Sequence, residues 1–326
     1  MAIQLGYALS SEEHPPGDLV RHARLAEEAG FDFLMISDHF HPWIDAQGHS
    51  PFVWSVLGAI AQATERIPIG TGVTCPTVRI HPAIIAQAAA TVANLMPGRF
   101  RLGVGTGEAL NEHILGDVWP EWEIRAEMLE EAVEIIRDLW TGENRSHYGP
   151  SYTVVNARIY DPPPEPVPVL VAAGGPRAAE LAGRIGDALV ATSPDKETLA
   201  AFRSAGGEGK TAYGQATVCW DPDEAAARRT VKRIWPTSGI RGEASQELPS
   251  PKHFEQLAEM VTEEALAAHI VCGPDIDRHV EALQAFVEAG FDHVYVHQVG
   301  SEQRGFIDAY RAEVLPRLRR TSVSVA

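Results

Sequence analysis

The chain has 326 residues, with 27 Lys plus Arg against 44 Asp plus Glu and a formal charge of −17. At 45% hydrophobic and 22% charged residues it reads as an ordinary globular chain, and its acidic balance argues against a nucleic-acid binder, which needs a basic face to replace phosphate counterions. No apolar run approaches the ~18 residues of a membrane span, the N-terminal MAIQLGYALSSEEH carries no secretory signal pattern, and Cys75, Cys219 and Cys272, odd in number and far apart, suggest a reducing cytoplasm rather than a disulfide or metal framework.

Strand-like and helix-like runs alternate from the first residues. Ile3–Leu9 is an expected strand, and His14–Gly30 a helix with Leu19, Val20, Ala23, Leu25 and Ala26 as its apolar stripe and Gly30 as its stop. Strands follow at Phe33–Ser37, Ile67–Val73 and Phe100–Gly105, with helices at Pro51–Thr64, Pro82–Asn94 and Glu121–Trp140. Further strands are expected at Val167–Ala172, Ala188–Thr192, Gln215–Trp220 and His293–His297, eight in all. The first four begin 30 to 34 residues apart, the length of one strand, one helix and two short loops. Such alternation implies parallel strands with right-handed crossovers. Eight units suggest a single-domain (β/α)8 TIM barrel over residues 1–326, with an open doubly wound sheet as the alternative. Two stretches exceed one unit and read as insertions: residues 141–166, with a short hairpin and a proline-rich connection, and residues 234–270, polar and helix-prone.

In a barrel, chemistry collects where strands end. Strand two ends in Asp38, His39, Phe40, His41, Pro42 and Trp43, where an imidazole suits general acid/base work. A metal set of Asp38, His39 and His41 is a weaker reading, because no distant cluster completes it. Strand three ends in GTGVTCPT, where Gly70 and Gly72 open the backbone toward a flat ring. Strand four ends in GVGTGEALNE, which places Glu108 among glycines, either as a proton carrier or as a helix-start cap. Strand five ends in AAGGP, with Gly174 and Gly175 ahead of Pro176, a helix start with free amides suited to a phosphate.

The strings SDHFHPW, GTGVTCPT, GVGTGEALNE and PVLVAAGGP together resemble the luciferase-like barrel superfamily. More narrowly, they resemble the F420-dependent oxidoreductases grouped around F420-dependent glucose-6-phosphate dehydrogenase. The resemblance runs nearly end to end and implies the deazaflavin F420 as cofactor, an alcohol or sugar as substrate, a homodimer and no metal. It assigns His39 to the substrate hydroxyl proton, Glu108 to protonation of the reduced ring and Trp43 to holding the reacting centre. Cofactor contacts are implied at Asp38, Gly72, Val73, Cys75, Gly107, Asn111, Ala173, Gly174, Gly175 and Thr192, with a non-prolyl cis peptide at Gly72–Val73.

The sequence departs from the group at the three basic residues that grip the sugar phosphate. Asp195 in TSPDK, Gln256 in HFEQLAEM and Ala282 in DRHVEAL stand at the matching positions, with Lys196, Lys252 and Arg278 nearby. A phosphate dianion lacking those cations is poorly paired. The expected substrate is therefore a neutral alcohol or sugar. Glucose 6-phosphate, or an FMN-dependent luciferase-like monooxygenase, are the alternatives, and a non-catalytic binding barrel is disfavoured by the pair His39 and Glu108.

Overall fold

The computed structural model of the chain describes residues 3–240 and 242–321. Its strands in chain order are β1 (Gln4–Leu9), β2 (Phe33–Ile36), β3 (Ile69–Thr71), β4 (Phe100–Val104), β5 (Arg145–Tyr148), β6 (Thr153–Ala157), β7 (Val169–Ala172), β8 (Ala188–Ala191), β9 (Thr211–Cys219), β10 (Val271–Cys272) and β11 (His293–Gln298). Eight of them close a parallel barrel in the order β1-β2-β3-β4-β7-β8-β9-β11, with β11 returning to β1. The eight expected strands are the eight barrel strands, and helices cover the outside as the crossovers require. The segment 141–166 carries the antiparallel hairpin β5–β6. Residues 234–270 carry short helices, among them Ala244–Glu247, Pro251–Ala258 and Glu263–Ala267.

Beyond shifts of one or two residues at other strand ends, three differences from the sequence reading have a local reason. β3 is only Ile69–Thr71, because the chain leaves the ladder at a cis peptide between Gly72 and Val73 and returns as an isolated bridge from Thr74 to Val104. β9 starts at Thr211 rather than Gln215. Gly214 reads as a break in the pattern, yet it sits inside the strand because any side chain there would collide with the ring of Phe286 on the covering helix. β10, two residues added outside β9, is too short for a period-2 signal.

Helix Pro16–Ala29 shows how sequence sets packing. Leu19, Ala23 and Ala26 bury one face, and Gly30, at φ +88°, ends the helix in the left-handed conformation that glycine adopts without penalty. Inside the barrel, Phe33, Met35, Leu170, Val190, Tyr213 and Tyr295 form a packed plug. That plug fills the lower barrel, so open space remains at the end where the strands finish. Among the described residues no helix is long and apolar enough to cross a membrane.

Candidate active site

A cavity of about 490 Å3 opens at the carboxyl ends of the strands. Its floor is Met35, Val190 and Tyr295, and its walls are the strand-end loops together with Trp235, Thr237, Ser238, Ser245, Gln246 and Phe254 from the segment after β9. The insertion over residues 234–270 therefore covers the site.

His39 enters from the loop after β2. Its Nε2 lies 3.4 Å from Oε1 of Glu12, a buried carboxylate from the loop after β1. Oε2 of Glu12 accepts hydrogen bonds from Ser37 (2.6 Å) and Ser10 (3.0 Å). Burial alone would raise the Glu12 carboxyl, but the facing His39 imidazole and the Ser37 hydroxyl outweigh it and hold the group below its ordinary value. On the other side of the ring, Asn111 accepts from the backbone N–H groups of Phe40 (2.9 Å) and His41 (3.1 Å) through Oδ1. This orients its amide, so that Nδ2 faces Nδ1 of His39 at 3.1 Å. The Trp43 ring packs 5.1 Å from His39 and, edge on, 5.1 Å from Phe254.

Glu108 lies across the mouth at the start of the short helix Ala109–Glu112. It makes no side-chain cap to that helix, which removes the reading of a capping acid and leaves a half-buried carboxyl facing the cavity. Beneath it, Arg79 binds Asp38 (3.1 Å) and Glu112 (3.3 Å), with all three side chains at most 6% exposed. Asp38 also accepts from the Thr74 hydroxyl. Burial pushes the Glu112 carboxyl up, and Arg79 only partly offsets this.

The remaining wall is nearly bare backbone. Gly72, Val73, Cys75, Gly107, Ala173, Gly174 and Thr192 all line the cavity, as do Trp43 and Asp38. A Cβ on Gly105 would come within 2.9 Å of Val73, and one on Gly107, at φ +80°, would strike the Cys75 sulfur. Opposite, the ten-residue helix Pro176–Ile185 begins without any side-chain cap, and nothing stands within 4 Å of where side chains on Gly174 or Gly175 would begin. Uncapped amides facing open space suit a phosphate, and the bare glycine wall beside the cis peptide suits a flat ring. These features fit a phosphate-bearing deazaflavin.

Two of the expected cofactor contacts are not among the residues of the cavity wall. Asn111 is 1% exposed and clamps the His39 loop to the short helix, so its amide is fully engaged. Gly175 immediately precedes the helix, at the open end suited to a phosphate. Asp38, His39 and His41 also fail to converge as a metal set. Asp38 faces Arg79 and Thr74, His39 faces Glu12, and His41 Nδ1 bonds the carbonyl of Leu110 at 2.9 Å. Arg177 is held on Glu123 at 2.7 Å and adds no free charge to the helix start. Glu12, Arg79 and His297 belong to the site without having been expected. The strand-end rule applied to SSEEH after β1 and to the end of β11 would have found two of them.

The positions expected to match the phosphate grip place no cation on the cavity wall. Asp195 caps its own helix through the amides of Glu197 and Thr198. Gln256 and Lys252 are exposed, and Arg278 lies 3.7 Å from Glu224. Among the described residues lining the cavity there is no Lys or Arg.

Residues 2–293 match the luciferase-like monooxygenase family. The chain is 42% identical to the F420-dependent glucose-6-phosphate dehydrogenase of Kribbella flavida, over 98% of this chain and 99% of that protein. It is 40% identical to the enzyme of the same name from Beutenbergia cavernae, over 97% and 98%. Among solved structures, an F420-dependent secondary alcohol dehydrogenase in complex with an F420-acetone adduct superposes with a TM-score of 0.89 at 30% identity, covering 96% of this chain and 98% of that one. The chain belongs to the luciferase-like family and, within it, to the F420-dependent dehydrogenases.

Proposed function

We propose that this chain binds F420 along the glycine wall and oxidises a hydroxyl group of a neutral alcohol or sugar. When bound, the deazaflavin supplies the two-electron hydride acceptor. His39 then takes the proton of the reacting hydroxyl at Nε2, which can accept when Nδ1 carries the ring hydrogen toward the His41 carbonyl at 3.2 Å, and Glu12 faces the imidazolium that forms. Trp43 and Phe254 wall the carbinol against His39 and exclude water. Glu108, with a carboxyl free of helix capping, carries the second proton of the exchange. The alcohol loses a hydride and a proton and becomes a carbonyl, so no metal or further oxidant is required.

The observation that carries the substrate reading is the lining itself: carboxylates and histidines, hydroxyl and amide groups, aromatic rings, and no Lys or Arg among the described residues. A phosphate dianion desolvated there would lack the several charge-assisted bonds that offset its burial. The names of the relatives favour the second reading, glucose 6-phosphate, over this one. Two measurements decide. Titration should quench F420 fluorescence and leave FMN fluorescence unchanged, and the reverse would replace the cofactor. Steady-state turnover should then favour free sugars or alcohols, whereas saturable oxidation of glucose 6-phosphate at micromolar concentration would establish the sugar phosphate as substrate.

A further inference from the structure

The loop after β1 presents two consecutive acids, and each holds a histidine. Glu12 faces His39. Glu13 faces His297, from the end of β11, with Oε1 2.6 Å from Nε2 and both side chains at most 3% exposed. The other Glu13 oxygen accepts from the Gly300 N–H at 2.7 Å. A carboxylate in that position can only accept, so Nε2 carries a hydrogen, and Nδ1 is left as the ring atom with hydrogen-bonding capacity to spare. Nδ1 is buried and has no hydrogen-bond partner. The ring lines the cavity, with Trp235 packed against it at 4.4 Å. Its ladder neighbour across the parallel pair β9–β11 is Thr217, whose side chain also lines the cavity. Buried polar atoms without partners are uncommon and costly. This one belongs to a ring that lines the pocket, away from the proton exchange at His39 and Glu108.

We propose that His297, oriented by Glu13, selects a substrate with more than one hydroxyl: its Nδ1 forms a hydrogen bond with a second hydroxyl, remote from the carbinol that reacts at His39. This deepens the proposed function and rests on it. A hydroxyl both donates and accepts and can therefore pair with Nδ1, whereas a monohydric alcohol leaves Nδ1 as it is. The two Glu–His pairs thus divide the work, the first acting on the reacting hydroxyl and the second reading its companion. His297 is a specificity residue and Glu13 a positioning residue behind it.

The test compares wild type, His297→Phe and Glu13→Gln, all loaded with F420, on a panel of free aldoses and polyols, on glucose 6-phosphate and on 2-propanol. Loss of one hydrogen bond that leaves its partner unsatisfied predicts a fall in kcat/KM of roughly 10- to 100-fold for the polyhydroxylated substrates, mostly in KM. Turnover of 2-propanol should change less than about threefold. A parallel measurement needs no variant: in protein labelled with 15N-histidine, the Nδ1 resonance of His297 should shift when the preferred sugar is added. Equal losses on both substrate types, a selective loss of glucose 6-phosphate turnover, or a resonance unmoved at saturating sugar would each overturn the proposal. So would a wild-type chain that oxidises 2-propanol but no polyol. Failure of wild type to bind F420 would remove the proposed function with it, and fluorescence titration separates that result from the others.

Discussion

The two sides of the cavity are built from different chemistry. The side formed by the loops after β1 to β4 is dense in buried charge: Glu12 against His39, and Arg79 between Asp38 and Glu112. The side formed by β9, β11 and the segment after β9 is largely neutral, with Gln215, Thr217, Thr237, Ser238, Ser245 and Gln246 supplying hydroxyls and amides. Buried charges fix geometry, because moving one of them away from its partner is costly. Neutral hydrogen-bonding groups on a covering segment can be exchanged with little penalty. The first side has the rigidity that a proton-transfer site requires, and the second has the adaptability of a surface that recognises substrate.

The comparison is broken most directly at His39. His39→Ala should lower kcat by ~100- to 10,000-fold, the usual cost of losing a general acid or base, while F420 affinity measured by fluorescence quenching stays near wild type. Unchanged turnover would remove His39 from the mechanism. Glu108→Gln comes next. Deleting its proton while keeping its shape should slow the hydride step by about 100-fold and alter the pH profile of kcat. A profile identical to wild type would mean that another group carries the second proton.

How much of this was legible in the sequence follows the same division. His39, Trp43, Gly107 and Glu108 sit in contiguous strings at strand ends, so chain order alone brings them to one mouth. Glu12, Arg79 and His297 owe their roles to partners 27 to 284 residues away in the chain, and no local pattern encodes such pairings. The closed barrel was readable because its repeat of strand and helix is regular. β10 and the early start of β9 were not, since one is too short for a period and the other runs through a glycine placed for Phe286. Asn111 shows what a string leaves open: it places the residue beside the site, and the geometry adds that its amide bonds the His39 loop.

The next prediction applies one substitution to each side. Arg79→Met strands Asp38 and Glu112, whose side chains are each 1% exposed. Breaking a buried pair by removing one partner typically costs about 3–5 kcal/mol, so a fall in unfolding free energy of that order is expected in denaturant titration. The deficit should depend on pH in a defined direction. Burial already pushes the Glu112 carboxyl up, and without Arg79 it rises further. A raised carboxyl favours the fold below its unfolded value and loses that contribution as pH rises through the folded value. The variant should therefore lie closer to wild type near pH 4 than at pH 7. A deficit that grew on acidification would contradict this account of the cluster.

The smallest effect belongs to the other side, at Arg125. This arginine of helix Trp122–Leu139 is fully buried and reaches across to the covering segment, bonding Gln246 at 3.1 Å and Glu247 at 3.2 Å, with the carbonyl of Pro120 as a third partner at 2.6 Å. Its guanidinium also lies over the Trp119 ring at 4.2 Å. The partners differ from those of Arg79 in the decisive respect: the Glu247 side chain is 50% exposed, so water takes over when the cation is removed. Arg125→Met keeps much of the packing volume and strands no buried charge, and should cost only about 1 kcal/mol. Its functional consequence falls on recognition. Gln246 lines the cavity and loses the contact that holds it, so KM for the substrate should rise roughly three- to tenfold, the worth of about one hydrogen bond, while kcat and F420 affinity stay close to wild type. A drop in kcat matching that of the His39 or Glu108 variants would show that the covering segment takes part in the proton chemistry, and the division of the cavity into a reacting side and a recognising side would fail.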